Sequence, residues 1–583
     1  MSVISRILVR NICRSSCNVL SANQKGYSSQ IVEENCLKCK ASDVKIPEIT
    51  LAEYLVNNFS KYPNKIALEC GATQRKYTYD DVLVKSTNLN RIKSTNLNRS
   101  LRKKLKLQKG DVVAFLLPNI PEFIISTLGV HLAGLKLTTI NSAYTSDEIK
   151  RQLLDSGAKV LVTLPELWQN AKKAVDETKN SISIITIKNN NSDTTPIGAI
   201  DWSEFANTPT DIPDAELPSI HETIFMPYSS GTTGLPKGVE LSNYNIVANI
   251  AQIHHPDYKV AQSATDTHQD VTVAILPFFH IYGFTTTISM MTDGAKAVSL
   301  PKFTPDGYMN SLRDYRPHIL MLVPPIVIFL YSHPSVQAEY LSSLRIVNCG
   351  AAPLGALDEE KFRKKVGRPL NILQGYGLSE TSPVVTMIPL SLQGKYPGSM
   401  GSAIPNTFLK VVNIDDTEGK HLPPHTTGEL LIKGPQVMKG YYNQPEQTEN
   451  SFLNGWFKSG DLVRYNEDGM LYIADRIKEL IKVKGLQVPP AELEEIIRDY
   501  PGVAEAAVIG IPHKFHGEVP RAYVVVKENC KIDVDKLRTQ VESKVAKHKR
   551  LEGGIVIVEE IPKNASGKIM RRKLKLKYLE ENV

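Results

Sequence analysis

The stretch YSSGTTGLPKGV occupies residues 228–239 and follows the apolar Ile224, Phe225 and Met226. Ser229, Ser230, Thr232 and Thr233 gather around Gly231, and Gly234, Lys237 and Gly238 come after. A strand that runs into such a loop lets backbone N–H groups and hydroxyls close on a phosphate, while Lys237 supplies positive charge. The pattern is not the Walker loop, which needs a Lys followed by Ser or Thr at the start of a helix; here Pro236 precedes the lysine and Gly238 follows it. A phosphate cradle that stays unhelical and mobile is the expectation. Its bland alternative is a flexible surface turn, because Gly, Ser and Thr cluster in any loop.

Outward from this loop, short apolar runs alternate with helical patterns. Residues 111–117 and 159–163 read as buried strands separated by a helical stretch around 123–133, and further strands are expected at 271–276, 297–300, 319–323 and 344–348. Such alternation indicates an α/β fold with largely parallel sheets. Leu51, Tyr54, Leu55 and Phe59 carry the spacing of one helix face. Residues 189–214, rich in Asn, Thr, Asp and Pro, read as an exposed connection ahead of the phosphate loop. From 401 to 468 shorter β runs with Gly and Pro turns suggest a small barrel or meander, and a basic, helix-rich α+β segment follows Asp475.

A chain of 583 residues is too long for one core, and at ~150 residues per domain it holds about four packing units. Half of the formal net charge of +8 comes from Arg6, Arg10, Arg14 and Lys25, which precede the first acidic residue, Glu33, so nucleic acid is not implied. The three arginines recur every fourth residue opposite Val3, Ile4, Ile7, Leu8 and Ile12, so residues 1–30 read as an amphipathic leader of mitochondrial type, with a basic cytosolic tail as the alternative. The final Glu581, Asn582 and Val583 do not spell a peroxisomal address. Seven scattered cysteines fit a reducing compartment, and the CxxC of Cys36 and Cys39 lacks a second pair to complete a zinc site. No stretch approaches a membrane span. KSTNLNR occurs at 85–91 and again at 93–99 inside a helical pattern. Eight residues leave a helix about 80° from whole turns, so one copy must bulge, loop out or turn the following face.

Chemistry is offered by LPFFHIYG at 276–283, where His280 stands among aromatics, though a lone His in apolar company is more often a satisfied core residue. NCGAAPLG at 348–355 and LQGYGLSE at 373–380 place small residues at the ends of apolar runs, where an α/β sheet lets a flat base and a ribose approach the backbone. Glu380 suits Mg²⁺, which takes one or two carboxylates besides phosphate oxygens and water.

Together with GELLIKG at 428–434, SGD at 459–461, DRIKELIKVKG at 475–485 and PKNASGK at 562–568, these motifs resemble, in order and rough spacing, the adenylate-forming acyl-CoA synthetases, closest to the 4-coumarate:CoA ligase and firefly-luciferase branch. The resemblance implies a large N-terminal AMP-binding domain over 45–474 with a small β-barrel subdomain, a hinge at 475–478 and a smaller mobile α+β domain over 479–583. It implies that Ser229, Ser230, Gly231, Thr232, Thr233 and Lys237 hold the ATP phosphates, with Glu380 on Mg²⁺ and Ser379, where the family usually has Thr, beside the α-phosphate. Gly350, Ala351, Ala352, Gln374, Gly375 and Tyr376 would flank adenine, and Asp461 and Arg476 would bind the ribose. Phe279, His280, Gly283, Gly350, Gly377, Pro383 and Val384 would line a slot for an aryl-propenoic acid or a medium or long acyl chain.

The implied reaction brings one anion onto another, so Mg²⁺, Lys237 and Lys568 must neutralise the charge that gathers as a carboxylate attacks the α-phosphate. Acyl-AMP and pyrophosphate result, and the thiol of coenzyme A then takes the acyl group. For this second step the C-terminal domain would swing about its hinge, withdrawing Lys568 and presenting Lys482, Lys484 and Gly485, with Lys478 in the hinge itself. A monomer or homodimer acting on small molecules is implied. The alternatives are a luciferase-like oxygenase spending the same adenylate on O₂, or a binding protein without catalysis; the presence of Lys237, Glu380, Asp461 and Lys568 argues against the latter.

Overall fold

Helices without a polar face mark the middle of this molecule. Every residue of Pro121–Leu132 is buried, and so is all of Ile281–Thr292 except Tyr282. A helix apolar all round must be enclosed on every side. These two pack with Leu51–Phe59 and Asn243–Ile253 between two sheets, and one apolar core runs through all three layers. Leu51–Phe59 is started by a capping box in which the Thr50 hydroxyl accepts from the Glu53 N–H, and Asn243–Ile253 by the same device between Ser242 and Asn245.

The computed structural model describes residues 35–87, 89–91, 94–95, 105–190, 192–207, 217–229, 236–414, 416–476, 479–484, 486–564 and 567–581. The first sheet has the order Ile200–Asp201, Ser183–Thr186, Ala158–Thr163, Val112–Leu116, Lys136–Ile140, Thr223–Ser229, Lys237–Ser242, Gly440–Tyr441. It is parallel up to Thr223–Ser229 and antiparallel beyond. The second runs Ser402–Ala403, Val384–Met387, Asn371–Gly377, Ile346–Cys349, Ile319–Leu322, Val271–Ala274, Lys296–Ser299, Ile66–Cys70, Lys76–Thr78, parallel through its centre. The α/β reading with largely parallel sheets is therefore correct, and the strands expected at 111–117, 159–163, 271–276, 297–300, 319–323 and 344–348 all form within a few residues of those bounds.

The β-rich texture after 401 becomes a six-stranded antiparallel sheet of Leu37–Lys38, Phe408–Val412, Gly428–Lys433, Trp456–Tyr465, Phe452–Leu453 and Leu471–Arg476. Beyond it, Ile481–Val483, Leu486–Val488, Val503–His513, Gly517–Val526 and Ile555–Ile557 form a separate sheet with its own core, covered by Pro490–Arg498 and Val534–Lys544. The first KSTNLNR copy leaves the helix Tyr79–Thr87, and Leu89–Arg91 pairs antiparallel with Ser94–Thr95; the rest of the second copy lies outside the described residues. The leader expected at 1–30 lies outside the described residues. Among the described residues no helix is long and apolar enough to cross a membrane.

Candidate active site

The strands of both sheets point their carboxyl ends into one cleft of 1590 Å³. Thr223–Ser229 and Lys237–Ser242 pair antiparallel with Ser229 opposite Lys237, so the phosphate-loop motif lies between two adjacent strands. Ser230, Gly231, Thr232 and Thr233 lie outside the described residues; the flanks of the loop do not. The Ser229 hydroxyl donates to Glu380 Oε1 at 2.9 Å, and the Tyr441 hydroxyl donates to the same oxygen at 3.0 Å. Lys237 Nζ donates to Gln447 Oε1 at 2.8 Å and stands 5.0 Å above the Tyr441 ring. Tyr441 and Gln447 had no motif to announce them. Tyr441 reaches the site because the strand Gly440–Tyr441 adds to this strand pair, opposite Val239 and Glu240.

Gly350, Ala351, Gly375, Tyr376, Gly377 and Ser379 line the cleft, as do Phe279, His280, Pro383 and Val384. Ala351 is held at φ +66°, the left-handed region an alanine enters at a cost of about 1 kcal/mol. A Cβ on Gly377 would stand 2.0 Å from the Pro383 carbonyl oxygen, so only glycine admits the hairpin of Asn371–Gly377 with Val384–Met387 there. The Tyr376 hydroxyl donates to Asp461 Oδ2 at 2.7 Å, and Asp461 is 2 % exposed. Arg476 faces Asp461 across the strand pair, with its side chain outside the described part.

Ala352 and Asp461 are absent from the cleft wall, and Gln374 and Gly283 likewise do not sit where the resemblance placed them. Gln374 turns away from the cleft: its amide accepts from the Leu354 N–H at 3.0 Å and donates to the Leu354 carbonyl at 3.1 Å, so it ties down the loop that presents Gly350 and Ala351. Gly283 faces backbone, since a Cβ there would meet the Pro277 carbonyl oxygen at 2.3 Å; it lets the helix Ile281–Thr292 seat on the turn before it. Both lie one step off the cleft-facing positions.

His280 caps that helix, its Nδ1 accepting from the Tyr282 N–H at 3.2 Å. Burial, with Lys568 adding like-charge repulsion, pushes its pKa down to about 4, so the imidazole is neutral at physiological pH. Lys568 enters the cleft from the C-terminal unit on a tight turn, in which its own N–H donates to Asn564 Oδ1 at 2.9 Å. Gly567, at φ +77°, brings this turn against Pro325 of the large unit, leaving a Cβ only 3.1 Å from the proline ring. Lys482 and Lys484 are exposed and outside the cleft, while Lys478 and Gly485 fall outside the described residues.

The C-terminal unit closes this cleft with residues on both sides of Lys568. The AMP-binding enzyme family matches residues 55–442, and the AMP-binding enzyme C-terminal domain matches residues 492–568. A 4-coumarate-CoA ligase of Narcissus pseudonarcissus is 35% identical, covering 94% of this chain and 97% of its own. A probable 4-coumarate–CoA ligase of Dictyostelium discoideum is 34% identical over 92% of this chain and 96% of its own. ATP-bound MatB from Rhodopseudomonas palustris superposes with a TM-score of 0.79 at 27% identity over 91% of this chain and 99% of its own, and apo MatB with 0.69 at 28% over the same shares. The chain belongs to the AMP-binding enzyme family. Within it, the chain is an acid–thiol ligase.

Proposed function

We propose that this enzyme joins a carboxylic acid to the α-phosphate of ATP, releasing pyrophosphate, and then passes the acyl group of acyl-AMP to the thiol of coenzyme A, releasing AMP. The observation that carries the reading is the meeting of Ser229, Lys237 and Glu380 from the large unit with Lys568 from the small one in a single cleft. Attack of one anion on another needs positive charge at the site, which Lys237 and Lys568 would supply. Lys237 would exchange Gln447 for phosphate oxygen. Glu380, flanked by the Ser229 and Tyr441 hydroxyls, is a hard-oxygen donor set that fits Mg²⁺, which when bound would neutralise phosphate charge. Asp461, oriented by Tyr376, would accept the ribose hydroxyls with Arg476 beside it, and Ser379 would stand by the α-phosphate.

For thioester formation the C-terminal unit would turn about 475–478, carrying Lys568 out and bringing Lys482, Lys484 and Gly485 to the cleft. Phe279, Pro383, Val384 and the bare edge at Gly377 would hold the acid by apolar burial, which suits an aryl-propenoic or a medium- or long-chain fatty acid. Neutral His280 can hydrogen-bond the acid's carboxylate without adding charge. The test is pyrophosphate release and thioester formation by the purified chain with 4-coumarate, cinnamate, benzoate and C6 to C16 fatty acids. Thioester from one class is expected; pyrophosphate without thioester would assign another acceptor, and silence with every acid would overturn the reading. We also propose that residues 1–30 direct the chain to mitochondria, so a fusion lacking them should leave that organelle in a localisation assay.

A further inference from the structure

The cleft continues past the reacting groups along one face of the helix Ile281–Thr292. Tyr282, Thr286, Ser289 and Met290 line it, and so does Asp293, just beyond the last turn. His280 begins that helix and Asp293 ends it. At 1.5 Å per residue the step from 280 to 293 is about 20 Å.

The walls change along this path. Beside Lys568 and His280 they mix those polar groups with Phe279, Pro383 and Val384; then Tyr282, Met290, Met321, Val260 and Ala261 make an apolar stretch; the far end is polar. There Asp293, 7% exposed, has Lys259 Nζ 2.7 Å from Oδ1 and His254 Nε2 3.1 Å from Oδ2. The Ser263 hydroxyl donates to Oδ1 at 3.0 Å, and the hydroxyls of Thr292 and Ser289 lie 3.3 and 3.5 Å from His254 Nε2. Burial alone would raise the pKa of Asp293, but His254 and Lys259 outweigh it and hold the carboxyl below its usual range. Lys259 balances the carboxylate, so the cluster offers hydrogen bonds more than net charge.

A methyl terminus arriving here would strip water from a carboxylate and an imidazole and return nothing, whereas a hydroxyl can donate to Asp293 and accept from Ser289. Building on the ligase reading above, we propose that this end of the cleft is a subsite for the distal hydroxyl of an elongated acid. His254, Ser289 and Asp293 are then the residues that select it. Extended C–C bonds advance about 1.25 Å each, so spanning most of the 20 Å takes roughly twelve to sixteen carbons. A 4-coumarate phenol would stop in the apolar stretch, short of the cluster.

The experiment compares kcat/KM for ω-hydroxy acids of C6, C12, C14 and C16 with their unsubstituted counterparts, using the full chain, ATP and coenzyme A. The ω-hydroxy acid is expected to win by roughly 10- to 100-fold at one or more of the three longer lengths and to show no advantage at C6, because a site built to bond a hydroxyl rejects the analogue that lacks one. His254→Leu and Ser289→Val should each shift the long-chain ratio toward the methyl-terminated acid while leaving KM for ATP in place. Ser289→Val keeps the Asp293 ion pair, so it reads out even where His254→Leu folds poorly. Equal kcat/KM for both series at every length, or a preference untouched by both variants, would overturn the subsite and leave the ligase reading standing. Failure of every acid to release pyrophosphate would overturn both.

Discussion

Lys568 and Lys482 sit on the same C-terminal unit and meet opposite surroundings. Lys568 stands in the cleft on a turn pinned by Asn564 and pressed against Pro325, close enough to His280 to depress its pKa. Lys482 lies on the short strand Ile481–Val483, its backbone N–H donating to Glu518 Oε2 at 3.0 Å and its side chain in solvent. One unit thus carries one lysine engaged with the large unit and one turned outward. The strand Leu471–Arg476 belongs to the large unit's antiparallel sheet and Ile481–Val483 to the small unit's own sheet, so the hinge proposed at 475–478 starts in the last two residues of the first strand. What the contrast teaches is that a second half-reaction run by Lys482 requires the unit to turn over.

The largest effect is expected from Lys568→Ala, which removes the charge facing the reacting oxygens and should slow pyrophosphate release by about 10²–10³. Tyr376→Phe comes next: it leaves the buried Asp461 without its hydroxyl donor, and a hydrogen bond to a charged group at roughly 1.5–3 kcal/mol predicts a rise in KM for ATP of about tenfold or more, read by steady-state kinetics. The pH dependence of stability probes the closed pose itself. The folded protein keeps His280 neutral down to about pH 4, whereas an unfolded imidazole takes its proton near 6.5, so the stability tied to the neutral form is whole above 6.5 and is lost as pH falls toward 4. Urea unfolding should therefore show wild type losing on the order of 2 kcal/mol more than His280→Gln between pH 7 and pH 4.5. The smallest effect is Ala351→Gly, which relieves the left-handed alanine and should gain at most about 1 kcal/mol in thermal unfolding.

The sequence carried the sheets because buried parallel strands announce themselves as short apolar runs such as Val112–Leu116 and Ile319–Leu322. It carried most of the cleft because a motif fixes which loop belongs at a strand's carboxyl end. Motif membership does not say which way a side chain points, and Gln374 shows the cost. Strict alternation would have put Gln374 on the same face as Tyr376, which does line the cleft, so only the packing against Leu354 decides where Gln374 points. Tyr441, Gln447 and the His254–Asp293 pair were illegible for another reason. Their partners lie far along the chain and meet only through sheet addition or helix packing.

The two lysines are separated most directly by supplying the intermediate. Lys568→Ala and Lys482→Ala are each assayed for pyrophosphate release from ATP plus acid, and for thioester formation from synthetic acyl-AMP plus coenzyme A. Lys568→Ala should lose the first reaction and keep the second, while Lys482→Ala keeps the first and slows the second. Equal loss of both reactions in either variant would contradict a small unit that turns one face and then the other to the same cleft.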